Sequence, residues 1–273
     1  MAEADFLSGL GQIEHILCVA SGKGGVGKST TAVNLALALA RSHRVGVLDA
    51  DIYGPSIPTL LGAAPGARPE IDGKRMVPIR AHGLQCNSMG FLIDQSTAVV
   101  WRAPMIISAF NQILKDTAWE ELDYLVVDLP PGTGDIQLSL SQAVRVGGAV
   151  IVTTPQNLAL LDARRGIEMF RKVSVPVIGV VENMNMHICS QCGHAEAIFG
   201  AGAGDRLAED FGVPVLARPA LDPAIREASD RGEPLLVADP GHPSNQAWLD
   251  LAHAVAAHCG ENAPQPAPTI SIA

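Results

Sequence analysis

A glycine-rich loop between two apolar runs constrains the fold of this chain more than any other stretch. It reads Ser21-Gly22-Lys23-Gly24-Gly25-Val26-Gly27-Lys28-Ser29-Thr30. The run 16–20 before it predicts a buried strand, and the Ala- and Leu-rich run 31–40 after it predicts a helix. Glycines at such a junction let backbone N–H groups approach a phosphate, and the start of the helix adds the positive end of its dipole. The loop therefore predicts a phosphate site at the end of a strand.

Two nucleotide-binding patterns fit this loop. Residues 22–29 match G-x-x-x-x-G-K-[ST], in which the lysine binds the outer phosphates and the hydroxyl binds Mg²⁺. The glycines at 22, 24 and 27 also match the dinucleotide pattern G-x-G-x-x-G, with Asp49 about twenty residues further on. A dinucleotide turn has no need of a lysine after its last glycine, so we favour a nucleoside triphosphate. The predicted ATP-binding loop comprises Gly22, Gly24, Gly25, Val26, Gly27, Lys28, Ser29 and Thr30, with Lys28 catalytic and Ser29 a Mg²⁺ ligand.

Apolar runs alternate with helical patterns along the chain. The runs are continuously apolar, which is typical of a parallel sheet covered on both faces. We therefore predict an α/β fold with a doubly wound, mostly parallel sheet, helices on both faces and ligands at the carboxyl ends of the strands. The predicted strands are 16–20, 45–49, 84–88, 124–128, 149–153, 177–182 and 213–217, and the predicted helices are 28–41, 104–115, 135–143, 158–173, 204–211, 223–231 and 244–258.

The predicted organisation is one ATPase domain, residues 13–260, after an N-terminal extension of residues 1–12. Residues 184–200 form an excursion that carries two cysteines. The proline-rich residues 261–273 predict a disordered tail. The segment 65–82, rich in Pro, Gly and Arg, predicts a further excursion on the surface.

Composition disfavours several classes of partner. The formal net charge is −9 and no basic run stands out, so we expect no nucleic-acid partner. No apolar stretch reaches the ~18 residues that span a bilayer, and the N-terminus lacks the pattern of a secretory signal, so we expect no membrane partner. The cytoplasm is then the expected compartment, where the five cysteines should be thiols.

Carboxylates follow two of the predicted strands. Asp128 ends an apolar strand and is expected to hold Mg²⁺ through a water, opposite Ser29. Gly132, in the loop after it, is expected to direct its N–H at a γ-phosphate. Asp51 is our candidate for orienting the attacking water, and Asp49 is placed near Mg²⁺. The alternative is that one of these two aspartates caps the helix that begins around position 55.

Lys23 is a second lysine inside the phosphate loop. A lysine at such a position is most often a solvated charge. If it is too constrained to turn onto its own nucleotide, it can reach the nucleotide of a facing copy, as an arginine finger does. That interpretation makes Lys23 catalytic and implies a homodimer.

Cys189 and Cys192 stand at C-x-x-C spacing and leave several kinds of site open. A redox pair should begin a helix, which the residues after Cys192 do not suggest. A zinc site could recruit His187 and His194. An iron–sulfur cluster takes four thiolates, so a second copy would have to supply two of them. A haem attachment is excluded because a glycine separates the second cysteine from the histidine.

Beyond the individual residues, six stretches carry a resemblance to known proteins. The loop resembles the deviant Walker A motif of the MinD/ParA/nitrogenase-iron-protein class. Within that class, the other five stretches resemble the Mrp/ApbC family of iron–sulfur cluster carrier ATPases, and the match covers roughly residues 12 to 258. The stretches are Lys23-Gly24-Gly25-Val26-Gly27-Lys28-Ser29-Thr30, Leu48-Asp49-Ala50-Asp51-Ile52-Tyr53-Gly54-Pro55-Ser56, Trp101-Arg102-Ala103-Pro104-Met105, Asp128-Leu129-Pro130-Pro131-Gly132-Thr133-Gly134-Asp135, Glu182-Asn183-Met184 before the cysteine pair, and Asp222-Pro223-Ala224-Ile225-Arg226-Glu227-Ala228.

This resemblance implies a specific activity. It implies an ATP-dependent homodimer that holds a labile [4Fe–4S] cluster on Cys189 and Cys192 of both subunits and transfers it to apo-proteins. It also implies that Asn183 contacts the adenine and that the loop near Asp222 closes over the base. A partitioning ATPase of the MinD or ParA kind is the main alternative, but the chain carries no Lys or Arg after Arg231 that could form a lipid-binding helix. The second alternative is a similar ATPase that holds a structural zinc at the cysteine pair.

Overall fold

An eight-stranded sheet forms the centre of the computed structural model, which describes residues 10–64, 66–92, 103–132, 134–189 and 191–261. The strands are β1 Ile13–Ser21, β2 Val45–Asp49, β3 Ile71–Asp72, β4 Arg75–Met76, β5 Ile79–Ala81, β6 Leu84–Ser88, β7 Leu122–Asp128, β8 Gly148–Thr153, β9 Val177–Glu182, β10 His187–Ile188, β11 Ala195–Glu196 and β12 Val215–Ala217. The main sheet has the order β12-β9-β8-β1-β7-β2-β6-β5. All neighbouring strands in it are parallel except β5 and β6.

Ten α-helices accompany these strands in the described ranges. They are α1 Lys28–Leu39, α2 Ile57–Leu60, α3 Met89–Leu92, α4 Ala103–Asp116, α5 Asp135–Ala143, α6 Asn157–Lys172, α7 Ala203–Phe211, α8 Pro223–Asp230, α9 Leu235–Ala238 and α10 Gln246–Glu261. Short 3-10 turns lie at Leu10–Gln12 and Pro243–Asn245. None of the helices in these ranges is both long and apolar enough to cross a bilayer.

The sheet has a hydrophobic core on each face. Alternate residues of β1 point to opposite faces. Leu17 therefore packs in one core with α1 and with Trp248 of α10. Cys18 packs in the other core with Phe110 of α4 and Phe170 of α6. Burial on both faces explains the continuously apolar strands, and the predicted doubly wound α/β fold is confirmed.

The strand register brings the candidate site residues to one edge of the sheet. Asp128 lies beside Val19 of β1 on one side and beside Asp49 of β2 on the other. Because β1, β2 and β7 are parallel, their carboxyl ends meet where the phosphate loop leaves β1. The arrangement puts the two aspartates next to the beginning of α1.

The segment predicted as a surface excursion is partly incorporated into the fold. Ile79–Ala81 pairs antiparallel with β6 as the last strand of the main sheet, and Met76 is buried. These strands are too short for an apolar alternation to be visible in the sequence. The predictions for residues 1–9 and for the tail after position 261 lie outside the described residues.

Candidate nucleotide site and cysteine hairpin

The phosphate loop has the backbone that its glycines allow. Gly25 and Gly27 have φ of 80° and 83°, in the left-handed region that favours glycine. Gly27 is also required by space, because a Cβ there would lie 2.1 Å from Nδ2 of Asn183. At Gly22 a Cβ would lie 2.2 Å from the carbonyl carbon of Asp162 in α6. The neighbouring elements therefore hold the loop at both of its ends.

The loop forms one side of a cavity of about 280 Å³. On the opposite side are residues of the segment after β2 and Pro131 of the loop after β7. The cavity thus brings together most of the residues that the sequence assigned to nucleotide binding. Its lining comprises Ser21, Lys23, Gly24, Gly25, Gly27, Lys28, Ser29, Thr30, Asp51, Gly54, Ser56, Leu60 and Pro131.

Lys28 is the centre of a buried group of charges. Its Nζ lies 2.6 Å from Oδ1 of Asp128 and 3.7 Å from Oδ2 of Asp51. It also donates to Oγ of Ser29 at 3.2 Å. Burial raises the pKa of the Asp128 carboxyl above its usual value, and the Lys28 ammonium opposes that increase.

The donors beside Lys28 suit a divalent cation. Oδ2 of Asp128 is buried and has no hydrogen-bond partner among the described residues. A buried carboxylate oxygen without a donor is costly unless a water or an ion satisfies it. The Ser29 hydroxyl and the Asp128 carboxylate, both within reach of Lys28, are oxygen donors of the kind that Mg²⁺ prefers. The residues present therefore fit the predicted magnesium site.

Asp49 has a different role from Asp51. Its carboxylate accepts hydrogen bonds from the backbone N–H groups of residues 51, 56 and 57, at 3.0 to 3.1 Å, and from Oγ of Ser88 at 3.0 Å. Burial and the neighbouring Asp128 raise the pKa of Asp49. These donors leave little free capacity for a metal's water shell. The geometry therefore favours the capping alternative for Asp49, which closes the beginning of α2.

Gly132 and Asp222, both predicted to contact the nucleotide, form hydrogen bonds within the protein. The Gly132 N–H donates to the Ser21 carbonyl at 2.8 Å, so a contact with a γ-phosphate requires the loop after β7 to move. Asp222 caps α8 by accepting from the N–H of Ala224 at 2.9 Å, and it also accepts from the hydroxyl of Ser244. Neither residue is among those that line the cavity.

Asn183 forms a hydrogen bond with the backbone of the phosphate loop. Its Nδ2 donates to the Val26 carbonyl at 2.9 Å, and its backbone N–H donates to the Thr153 carbonyl at 2.8 Å. The same side chain was assigned to the adenine by resemblance. In the described structure it holds the backbone of the loop, so an adenine contact would use its amide oxygen or the second hydrogen of Nδ2.

Lys23 lies at the rim of the cavity and is half-buried. Its Nζ donates to Oε1 of Gln156 at 3.4 Å, and Gln156 directly precedes α6. Gln156 could not be predicted from the sequence, because a lone glutamine after a strand carries no spacing signal. The contact directs Lys23 toward the start of α6.

The cysteine pair lies in a hairpin that projects from the end of β9. Strands β10 and β11 pair antiparallel, and the Cys189 N–H donates to the His194 carbonyl at 2.9 Å. Cys192 is exposed and Cys189 is half-exposed, and the exposed side chains of Ile188 and Ile198 flank the pair. Backbone N–H groups of residues 191 and 192 stabilise the thiolate of Cys189 and lower its pKa.

The other cysteines are structural. Cys18, Cys86 and Cys259 are all buried, and burial raises their thiol pKa values. Among the described residues no group of three or more His, Cys, Asp and Glu side chains could hold a metal ion. His187, one of the two histidines considered for zinc, has its Nδ1 within 3.0 Å of the Leu221 carbonyl. A four-ligand zinc site within the described part of one chain is therefore not formed.

Comparison with known proteins agrees with this geometry. The family described as ParA, NUBPL iron-transfer P-loop NTPase, matches residues 12–256. An iron-sulfur cluster carrier protein of Pseudomonas fragi is 60% identical over 248 residues, which cover 90% of this chain and 86% of the relative. The iron-sulfur cluster transfer protein NUBPL of Mus musculus is 49% identical over 247 residues, covering 89% and 77%.

A solved structure extends the similarity to the fold. The nucleotide-binding protein of Archaeoglobus fulgidus, in complex with ADP, superposes with a TM-score of 0.76 at 34% identity, covering 90% of this chain and 95% of that one. The extent of these matches confirms the resemblance stated from the motifs. The chain belongs to the ParA-type family of NUBPL iron-transfer P-loop NTPases.

Proposed function

We propose that this protein binds and hydrolyses ATP with Mg²⁺ and carries a [4Fe–4S] cluster, which a homodimer holds and delivers to apo-proteins. The observation that carries the proposal is the cysteine pair, with Cys192 exposed and Cys189 half-exposed, on a hairpin that leaves the same edge of the sheet as the phosphate loop. The names of the relatives, iron-sulfur cluster carrier and transfer proteins, support the same cargo. The cytoplasm is the compartment we propose, since it keeps thiols reduced.

The chemistry at the phosphate loop follows from four side chains, those of Lys28, Ser29, Asp51 and Asp128. Lys28 turns from Asp128 to the outer phosphates, where its charge stabilises the phosphoryl group in transfer. Mg²⁺, held by Ser29 and by Asp128 through water, would neutralise charge on the β- and γ-phosphate oxygens. Asp51, largely buried at the cavity wall, orients the attacking water. In the proposed dimer, Lys23 of each copy reaches the nucleotide that is bound to the other copy.

The cluster is cargo, and its binding follows from ligand number. Each chain offers two accessible thiols at the right spacing, and a [4Fe–4S] cluster takes four thiolates. A two-fold axis through the cluster supplies the other pair from a second copy. A cluster bound by two thiolates per chain at an exposed hairpin is accessible to an acceptor protein, which suits transfer better than storage.

Anaerobic reconstitution tests the proposal. Iron and sulfide counted per chain should give about one [4Fe–4S] cluster per two chains. The variants Cys189→Ser and Cys192→Ser should each lose cluster loading and transfer while they keep ATP binding. Cys259→Ser, which changes a buried cysteine, is the matched control and should load normally. Undiminished loading in the double variant, or stable zinc that depends on His187 and His194, would contradict the proposed cargo.

A further inference from the structure

Gln156 directly precedes α6, but its side chain does not cap that helix. A polar side chain at this position commonly accepts hydrogen bonds from the first N–H groups of the helix, and the Gln156 side chain accepts none of them. Its Oε1 instead accepts from Nζ of Lys23 at 3.4 Å and from Oγ1 of Thr154 at 3.3 Å. A lysine ammonium can only donate, so the amide oxygen is the atom that faces it. The Gln156 side chain is therefore used to contact Lys23.

The backbone at Lys23 is held on two sides, so the side chain is the part that can move. Oγ of Ser21 donates to the Lys23 carbonyl at 2.9 Å. Gly22 lies so close to α6 that a Cβ there would be 2.2 Å from the carbonyl carbon of Asp162. The stem of a lysine side chain is flexible and can rotate without moving this backbone. Nζ of Lys23 can therefore exchange Gln156 for another acceptor while the phosphate loop keeps its conformation.

The surface around this contact is open to a second molecule. Gly24 and Gly25 of the phosphate loop are exposed. At the start of α6, Leu158 and Leu161 are 71% and 53% exposed. Neighbouring exposed apolar side chains are typical of contact surfaces. The surroundings of Lys23 thus suit the approach of a facing copy, which the proposed role of Lys23 requires.

We propose that Gln156 is a positioning residue for Lys23, which it holds against α6 of its own chain until Lys23 reaches the nucleotide of the facing copy. The inference rests on the proposed function, in which Lys23 acts on that nucleotide. Among the described residues, Gln156 is the acceptor that holds the Lys23 ammonium. A neutral amide attracts an ammonium less strongly than a carboxylate does. Gln156 therefore keeps Lys23 beside α6 without opposing its release strongly.

Mixed dimers test through which copy Gln156 acts. In a mixture of Lys23→Ala and Lys28→Ala, a mixed dimer has one intact site, with nucleotide in the Lys23→Ala copy and Lys23 from the Lys28→Ala copy. Gln156→Glu keeps the shape of the side chain and holds Lys23 by an ion pair. In the Lys28→Ala copy it should lower the ATP turnover of the mixture about threefold, the strength of a typical surface ion pair. In the Lys23→Ala copy it should have no effect, since that copy has no Lys23 to hold.

The measurements separate the release of Lys23 from a loss of structure. Turnover is measured by phosphate release at saturating ATP. Mixed dimers are counted by native mass spectrometry, with a tag on one copy. Salt screens an ion pair, so the effect of Gln156→Glu should shrink between about 50 and 500 mM salt. Gln12→Glu is the matched control for added charge, because Gln12 is exposed and precedes β1 at the end of the strand opposite the loop.

A second substitution makes the comparison with the opposite sign. Gln156→Met keeps the length of the side chain but has no amide oxygen to hold the ammonium. In the Lys28→Ala copy it should raise turnover about twofold, the effect of one weak hydrogen bond. It serves also if Gln156→Glu fails to fold. Lower turnover with Gln156→Met would show that Gln156 supports the site in another way.

Each outcome decides the inference. An equal effect of Gln156→Glu from either copy, or no effect from the Lys28→Ala copy at the same content of mixed dimers, would overturn it. Either result leaves the proposed function standing, because the parent mixture is active. If the parent mixture is inactive although mixed dimers form, Lys23 does not act on the facing nucleotide. In that case both the inference and this part of the proposed function fail.

Discussion

The Nζ of Lys28 lies 2.6 Å from Oδ1 of Asp128, and the side chains of both residues are buried. The residue that the loop motif assigns to phosphate therefore pairs with the residue assigned to Mg²⁺. We therefore expect a bound nucleotide to compete with Asp128 for the same ammonium group. When the lysine turns to the phosphates, Asp128 becomes available to the metal, so phosphate binding and metal binding are expected to support each other.

We predict that Lys28→Ala abolishes ATP hydrolysis and also destabilises the fold, by about 3 kcal/mol at neutral pH, because it leaves a buried carboxylate without its cation. Burial already raises the pKa of Asp128 above 3.8, and Lys28 is the main influence that lowers it. A carboxyl whose pKa is raised on folding stabilises the fold when protonated, so this variant should regain melting temperature as the pH falls from neutral toward 3.8.

The double variant Lys28→Ala/Asp128→Asn is the control for that pH dependence. It has no buried carboxyl at position 128, so its melting temperature should not show the same recovery relative to the wild type. Wild-type hydrolysis in the single variant would contradict the phosphate-loop assignment itself.

We predict that Asp51→Asn binds ATP with nearly normal affinity and hydrolyses it at least about a hundredfold more slowly, because the change keeps the shape and removes the charge that orients water. Nucleotide binding is measured by calorimetry and turnover by phosphate release. Normal turnover in Asp51→Asn would show that another group orients the attacking water.

Unlike Asp51→Asn, the variant Asp49→Asn should lose stability and not turnover. The carboxylate of Asp49 accepts four hydrogen bonds from protein donors, and two of the donors are backbone N–H groups at the start of α2. An amide replaces one acceptor with a donor, so we expect a loss of about 2 kcal/mol in the free energy of unfolding. Denaturant titration measures it. Full stability with lost turnover would instead favour a direct role at the metal.

We predict that Lys23 acts on the nucleotide of the facing copy. Lys23→Ala should bind ATP without hydrolysing it. Mixing it with Lys28→Ala, which is also inactive, should restore part of the activity. A mixed dimer then has one intact site, with nucleotide in the Lys23→Ala subunit and Lys23 from the other. If mixing restores nothing although mixed dimers form, Lys23 acts within its own chain.

We predict that Cys189 reacts with iodoacetamide at lower pH than a cysteine in an unstructured peptide. Backbone N–H groups of residues 191 and 192 stabilise its thiolate and lower its pKa. The pH profile of alkylation, followed for the peptide that contains Cys189, measures the midpoint directly. A midpoint at or above that of the free peptide would show that the hairpin does not hold these donors in solution.

The sequence predicted those features that local patterns encode. The apolar runs located the central strands of the main sheet to within a few residues, because strands buried on both faces must be continuously apolar. The phosphate loop was equally clear, because its glycines and its lysine occupy fixed positions. Asp51 lines the cavity, and its role in orienting water stays a prediction.

Long-range contacts account for what the sequence left open. Asp49 and Asp51 look alike in the sequence, and only the hydroxyl of Ser88 and the start of α2 distinguish them. Similarly, the Gly132 N–H is directed at the Ser21 carbonyl by the register of β1 beside β7. In both cases the two partners are far apart in the sequence, so no local pattern predicts the hydrogen bond.

The two edges of the main sheet have a consequence for solubility. Its outermost strands, β5 and β12, have three residues each, and Arg80 on β5 carries a charge that is paired with Glu120. Edges this short expose few unpaired backbone groups to a strand from another molecule. A protein that displays thiols and exposed isoleucines at the hairpin is thereby protected from aggregating by sheet extension. In the proposed homodimer, contact between copies would then be made at the end of the molecule where the loop and the hairpin lie.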